Sequence, residues 1–191
     1  MKIGLFFGSF NPVHSGHLII ANYMAEQSDL DELWLVISPH NPFKERNSLA
    51  NDFDRYDMVL RSVENHPKIK ASNVEFDLPK PSYTIDTLTY LFEKYPNDEF
   101  VLIMGGDNLA SLHKWKNHEQ ILKQVKIYVY KRPDYEHGDL AKHPSVKIFD
   151  EAPLIEISST FIRKLIKEGK SIQFWVTEET RKIIEAGNLY K

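Results

Sequence analysis

Lys2-Ile3-Gly4-Leu5-Phe6-Phe7, then Gly8-Ser9-Phe10-Asn11-Pro12-Val13-His14-Ser15-Gly16-His17, then Leu18-Ile19-Ile20-Ala21-Asn22-Tyr23-Met24-Ala25, is the stretch that decides the fold. A short apolar run stopped by Gly-Ser reads as a buried strand ending at the carboxyl edge of a sheet. The apolar run behind the turn reads as a helix packed back onto that sheet. Small residues in the turn let backbone approach a ligand closely, and His14 and His17 stand about one helical turn apart. A helix N-terminus leaves N–H groups unpaired and carries partial positive charge, so it suits phosphate. The turn therefore points to a nucleotide.

The alternation continues along the chain. Strands are expected at Glu32–Ser38, Ile69–Phe76, Glu99–Met104, Gln124–Tyr130 and Val146–Phe149, and helices at Phe53–Asn65, Tyr83–Tyr95, Ser158–Glu168 and Thr177–Ala186. A Pro-punctuated loop runs from Pro39 to Ala50. The last two helices each start on a hydroxyl residue and have Gly169 or Gly187 just past their ends, as cap chemistry prefers. Strands alternating with helices imply the α/β class: a Rossmann-like, doubly wound parallel sheet in three α/β/α layers. One domain is expected over residues 1–191, with a small C-terminal helical part from about residue 157. In such sheets ligands bind beyond the carboxyl ends of the strands, where every polar cluster of this chain falls.

Composition narrows the classes. The 191 residues include 42% hydrophobic and 27% charged ones, ordinary for a soluble globular protein. A net charge of −3 offers no basic field for nucleic acid, and cysteine is absent, which excludes disulfides, cysteine nucleophiles and thiolate metal sites. No apolar run reaches the length of a membrane span, and the first strand begins too early to leave room for a signal peptide. Cytoplasmic localisation is expected.

Three readings fit His14-Ser15-Gly16-His17. One histidine caps the turn while the other packs on the sheet; or the pair binds a metal, which would need distant further ligands; or the imidazoles stabilise phosphate. The third also accounts for Gly8-Ser9 before the turn and for Gly16 between the rings. Ile157-Ser158-Ser159-Thr160-Phe161-Ile162-Arg163 forms a second cluster. It reads equally as a cap followed by an amphipathic helix, or as hydroxyls and N–H groups on phosphate with Arg163 as a charge-assisted clamp.

Taken together, these two motifs resemble the nucleotidylyltransferase superfamily, with its His-x-Gly-His and Ile-Ser-Ser-Thr-x-x-Arg signatures. Within it the chain is similar to the bacterial nicotinate mononucleotide adenylyltransferases. That narrower likeness rests on Pro81-Ser82-Tyr83-Thr84-Ile85-Asp86-Thr87-Leu88, on Gly105-Gly106-Asp107-Asn108-Leu109 with Trp115, and on Pro39-His40-Asn41-Pro42-Phe43-Lys44. It covers the chain from about Lys2 to the final helix. Phe7 stands where the superfamily often has Gly, and Asn11 where Asp is frequent.

The resemblance implies transfer of AMP from ATP to nicotinate mononucleotide, giving nicotinate adenine dinucleotide (deamido-NAD) and pyrophosphate. His14, His17 and Arg163 would be catalytic. Gly8, Ser9, Phe10, Gly105, Asp107, Ser158 and Ser159 would bind ATP, with Mg²⁺ carried on the phosphates rather than in a protein metal site. Trp115 would stack on the pyridine ring, Tyr83 and Thr84 would receive the nicotinate carboxylate, and Lys44 would cover the phosphates; Arg46 and Arg132 are further candidate basic contacts. For Trp115 a plain packing role stays open, and for Asp107 a helix cap. The remaining histidines, at 40, 66, 113, 118, 137 and 143, read as solvated. Expected partners are ATP and nicotinate mononucleotide, with no nucleic acid, no membrane and a possible homo-oligomer. A phosphopantetheine adenylyltransferase, or a non-catalytic nucleotide-binding module on the same fold, is the alternative.

Overall fold

A computed structural model of the chain describes residues 1–39, 49–132 and 138–191. Its parallel sheet is formed by β1 (Lys2–Gly8), β2 (Glu32–Ile37), β3 (Ile69–Ser72), β4 (Glu99–Gly105), β5 (Lys126–Tyr130) and β6 (Val146–Phe149), in the order β3-β2-β1-β4-β5-β6. β1 pairs with β2 from Ile3 to Gly8 and with β4 from Lys2 to Phe6. Strands covered on both faces are apolar at consecutive positions, which is why β1 and β4 read as near-continuous hydrophobic runs.

Alternate residues of each strand feed two apolar layers. Phe6, Leu35, Ile103 and Tyr128 pack with α1 (Ser15–Gln27) and α2 (Asp52–Val63) on one face. Leu5, Val36, Leu102 and Val129 pack on the other face with α3 (Thr84–Lys94), α4 (Gly106–Ser111) and α5 (His118–Gln124). The C-terminal helices α6 (Ser159–Lys167) and α7 (Glu178–Ala186) join the α1 and α2 layer through Ile162 and Ile184. Ser62 of α2 hydrogen-bonds Thr177 and Thr180 at 2.8 and 3.0 Å, fixing the last helix against it. This is the expected three-layer, Rossmann-like arrangement. The chain winds outward from β1 through β2 to β3 and returns beside β1 as β4. The turns leaving β1 and β4 therefore diverge, opening a crevice at the carboxyl end of the sheet.

Several boundaries differ from expectation. The strand expected over Ile69–Phe76 ends at Ser72, where its pairing with β2 stops at Val36, and residues 74–77 turn instead. That turn carries Glu75 into the interior. Gln124 closes α5 rather than opening a strand, because Ile121 and Leu122 are buried from a helix that too short a run concealed. Glycine closes α6 as expected: Gly169 is left-handed, and Lys170 N–H reaches back to the Leu165 carbonyl at 2.9 Å. At α7 the left-handed residue is Asn188 and not Gly187. Two histidines read as solvated are structural: His66 accepts from the backbone N–H groups of Lys68 and Ile69, and His143 hydrogen-bonds Ser145. No described helix is long and apolar enough to cross a membrane.

Candidate active site

The turn after β1 is shaped by side chains that leave no room for alternatives. A Cβ on Gly8 would stand 2.8 Å from the Phe10 ring. Phe10 itself has φ +43, a costly conformation for an aromatic residue, held because its ring is 1% exposed and meets the His17 ring edge-on at 5.0 Å. His14 is the N-cap of α1: its Nδ1 accepts from the His17 backbone N–H at 3.3 Å. The two imidazoles stack at 3.6 Å between centroids, and a Cβ on Gly16 would crowd His14 Nδ1 at 3.1 Å. Capping by one ring and packing by the other, set against phosphate contact in the sequence, thus occur in the same two residues. With Nδ1 accepting, the neutral His14 ring carries its proton on Nε2, which makes Nε2–H a donor. Burial, reinforced by the positive Arg132, pushes the His14 pKa down to about 4.

The N–H groups expected to make α1 a phosphate cradle are mostly committed. Ser15 N–H donates to the Trp175 carbonyl at 2.8 Å, and His17 N–H is taken by His14. Side chains must therefore supply most of the donors on this side. The second helix start is more open. Ser158 caps α6 by accepting from Phe161 N–H at 3.2 Å, leaving the Ser159 and Thr160 N–H groups outside the described hydrogen bonds. Ser159 Oγ donates to the Pro12 carbonyl at 2.9 Å, and Arg163 Nη1 to the Asn11 carbonyl at 2.9 Å. The two distant motifs are thus bonded to each other.

A second guanidinium grips the same turn from below. Arg55 of α2 is 0% exposed, and all five of its N–H donors are satisfied. They reach the carbonyls of Ala50 (3.1 Å), Ser9, Ser38 (3.0 Å) and Pro39 (3.4 Å) and the Asp52 carboxylate (2.6 Å). Sequence reading missed it, although Arg55 shares the spacing of Met58, Val59 and Ser62 on the inner face of α2, the one signal that marked it.

Two cavities open at the switch point and meet. The first, about 410 Å³, is lined by His14, Gly16, Ser158, Ser159, Thr160 and Arg163. The second, about 610 Å³, is lined by Gly8, Phe10, Ser82, Tyr83, Thr84, Asp107 and Trp115, with Phe7, Ser38 and Glu75. Phe6, Ser9, His17, Ser159, Tyr130 and Arg132 line both, so His17 stands at the junction. The Thr84 N–H at the start of α3 is outside the described hydrogen bonds, and Tyr83 gives that helix no side-chain cap. Lys116 sits 4.7 Å over the Tyr83 ring and pairs with Asp86 at 2.8 Å.

Other expected residues fall differently. Gly105 ends β4 and lines neither cavity; a Cβ there would run into Asp107 Oδ1 and crowd Arg132 and Tyr130. Asp107 is not a helix cap but lies in the first turn of α4, 3.6 Å from Arg132, on the wall of the Trp115 cavity rather than the His14 one. Arg132 is brought fully into the site. Lys44, Arg46, His40 and His137 lie outside the described residues. Glu75, which no sequence signal marked, is buried and lines the larger cavity.

Comparison with known proteins fits this geometry. Residues 5–165 match the family model described as Cytidylyltransferase-like. A relative from Cytophaga hutchinsonii named "Probable nicotinate-nucleotide adenylyltransferase" is 56% identical over 190 residues, covering 100% of this chain and 98% of that protein. One of the same name from Flavobacterium johnsoniae is 54% identical over 193 residues, covering 100% of both. Among solved structures, a Plasmodium falciparum nicotinic acid mononucleotide adenylyltransferase complexed with NaAD superimposes with a TM-score of 0.84 at 22% identity, covering 99% of this chain and 97% of that one.

Proposed function

The chain belongs to the cytidylyltransferase-like family and, within it, to the nicotinate-nucleotide adenylyltransferases, and from that premise we propose how its side chains divide the reaction. The protein is a nucleotidyltransferase of NAD biosynthesis: it moves the adenylyl group of ATP onto nicotinate mononucleotide, releasing pyrophosphate and nicotinate adenine dinucleotide. An oxygen of the acceptor's 5′-phosphate forms a bond to the α-phosphorus of ATP as the bond to the bridging oxygen of pyrophosphate breaks. The nucleophile is already ionised at neutral pH, so the site needs alignment and charge neutralisation, not a strong base.

The observation that carries the reading is the position of His17, shared by both cavities. The triphosphate occupies the smaller cavity, where His14 Nε2–H, the Ser159 and Thr160 N–H groups and Arg163 gather on the β- and γ-phosphates. The acceptor occupies the larger one, its ring on Trp115 and its carboxylate at the start of α3 beside Tyr83 and Thr84. His17 then faces the α-phosphate at their junction, with Arg132 and Ser9 alongside. Gly8 and Phe10 flank the nucleotide, and Asp107 faces ribose hydroxyls on the acceptor side.

Enzymes of this kind use a divalent metal with ATP, and Mg²⁺ is the ion we assign. Among the described residues no three His, Asp or Glu side chains converge as a cage. The wall instead offers imidazole, guanidinium, hydroxyl and amide groups, which suits an ion held by phosphate oxygens and water. When bound, it neutralises charge on the departing pyrophosphate. We place the enzyme in the cytoplasm, where ATP is at hand.

His17→Ala tests the assignment. The expected result is a fall in kcat of about 10²–10³, as for loss of one preorganised donor to a developing charge, with substrate KM values moved far less. A kcat within a few-fold of wild type, in a protein that melts normally, overturns the role given to His17.

A further inference from the structure

Phe174, between α6 and α7, holds a backbone conformation that is costly for an aromatic residue: its φ is +69. Its side chain is 85% exposed, so packing of the ring recovers little of that cost. The backbone of this turn does the bonding instead. Ser15, the first residue of α1, donates its Oγ–H to the Phe174 carbonyl at 2.8 Å, with the Trp175 carbonyl at 3.1 Å as a second acceptor. The Ser15 N–H donates to the same Trp175 carbonyl at 2.8 Å. Ile172 and Val176, each 6% exposed, anchor the turn in the core on either side, and the Trp175 N–H closes it on the Ile172 carbonyl at 3.1 Å. The Trp175 ring meets Phe161 in the first turn of α6 edge-on at 5.1 Å. One strained turn thus touches both helix starts that border the smaller cavity, α1 through Ser15 and α6 through Phe161.

We propose that Ser15 is a positioning residue for adenylyl transfer, and that the left-handed turn at Phe174–Trp175 is the clip that holds it. This rests on the place given to His17 at the α-phosphate and deepens it. Ser15 lies between His14 and His17 in the chain, so any shift of the first turn of α1 carries both imidazoles with it. A displacement of about 1 Å at a reacting centre costs about 10² in rate. Ser159 and Arg163 of α6 tie the β1 turn at Pro12 and Asn11, upstream of His14. The clip supplies the tie downstream of it. The ring pair is therefore held from both sides, and the strain persists because buried neighbours fix the turn on which the bonds to Ser15 depend. Only molecules with the clip closed present His17 in register, so opening it lowers kcat by no more than the factor one hydrogen bond is worth.

The test is steady-state kinetics with ATP and nicotinate mononucleotide on four full-length variants, each with its melting curve. Ser15→Ala should lower kcat about three- to tenfold, with both KM values moved far less. Ser15→Thr, which keeps the hydroxyl, should restore it. Phe174→Gly adopts the left-handed conformation without cost and should keep the wild-type kcat, whereas β-branched Phe174→Val cannot hold it and should fall as Ser15→Ala does. A normal kcat in Ser15→Ala overturns the proposal, and so does a Ser15→Thr enzyme as slow as Ser15→Ala. Equal loss in the two Phe174 variants also overturns it, since the exposed ring and not the backbone would then carry the effect; so does a normal kcat in Phe174→Val. Should Ser15→Ala fail to fold, the Phe174 pair decides alone. A His17→Ala enzyme of normal kcat would bring down the reading beneath this one, whereas a slow His17→Ala beside a normal Ser15→Ala brings down the clip alone.

Discussion

His14 uses its two ring nitrogens for different ends. Nδ1 caps α1, Nε2–H is the donor proposed for phosphate, and the free protein keeps the ring neutral. Its pKa is held near 4 in the folded chain against about 6.5 unfolded. A depressed pKa contributes stability that is fully present above pH 6.5 and is lost as pH falls toward 4, because the unfolded chain takes up the proton first. The shift corresponds to about 3 kcal/mol. His14→Asn retains a capping acceptor but does not titrate. Its unfolding free energy, followed by urea melts across that window, should fall less steeply with acidity than that of wild type. Parallel slopes would mean that His14 is not held neutral. That His14, His17 and Arg163 would meet was legible in the sequence, because two short patterns were read as a pair, and the three line one cavity. Arg55 and Glu75 were not, because nothing in a sequence marks a charged side chain as buried until the fold carries it inward.

At the level of elements, the two helix starts differ in how many N–H groups they leave open. α1 follows the recognisable turn, yet its N–H groups of Ser15 and His17 are spent inside the protein, while those of Ser159 and Thr160 in α6 stay outside the described hydrogen bonds. The turn leading into α1 is gripped by its carbonyls, by Arg55 at Ser9 and by Arg163 at Asn11. Arg55→Lys keeps the charge but cannot reach five acceptors, and at least two hydrogen bonds to a charged donor are lost. We expect a loss of about 3 kcal/mol in unfolding free energy and a raised KM for ATP with a smaller change in acceptor KM. Urea denaturation with steady-state kinetics checks this, and equal changes in the two KM values would contradict a role centred on the β1 turn. Element types were largely readable, since near-continuous apolar runs mark doubly covered strands. The short α4 and α5 were not, because six or seven residues show too little periodicity.

For the whole molecule, function follows from one topological fact. The chain reverses direction across the sheet between β1 and β4, and the crevice opened there holds two cavities that share His17. The sheet order was not written in any local pattern; it follows from right-handed crossovers and from the need to cover both faces. The site was legible in outline because its pieces sit at strand ends, while its division into two adjoining cavities needed the folded distances. The most direct test is pyrophosphate release by the full chain supplied with ATP, Mg²⁺ and, in parallel, nicotinate mononucleotide, nicotinamide mononucleotide or phosphopantetheine. The account predicts fastest release with nicotinate mononucleotide and none above background with phosphopantetheine. Release only with phosphopantetheine, or with no acceptor among the three, would contradict it.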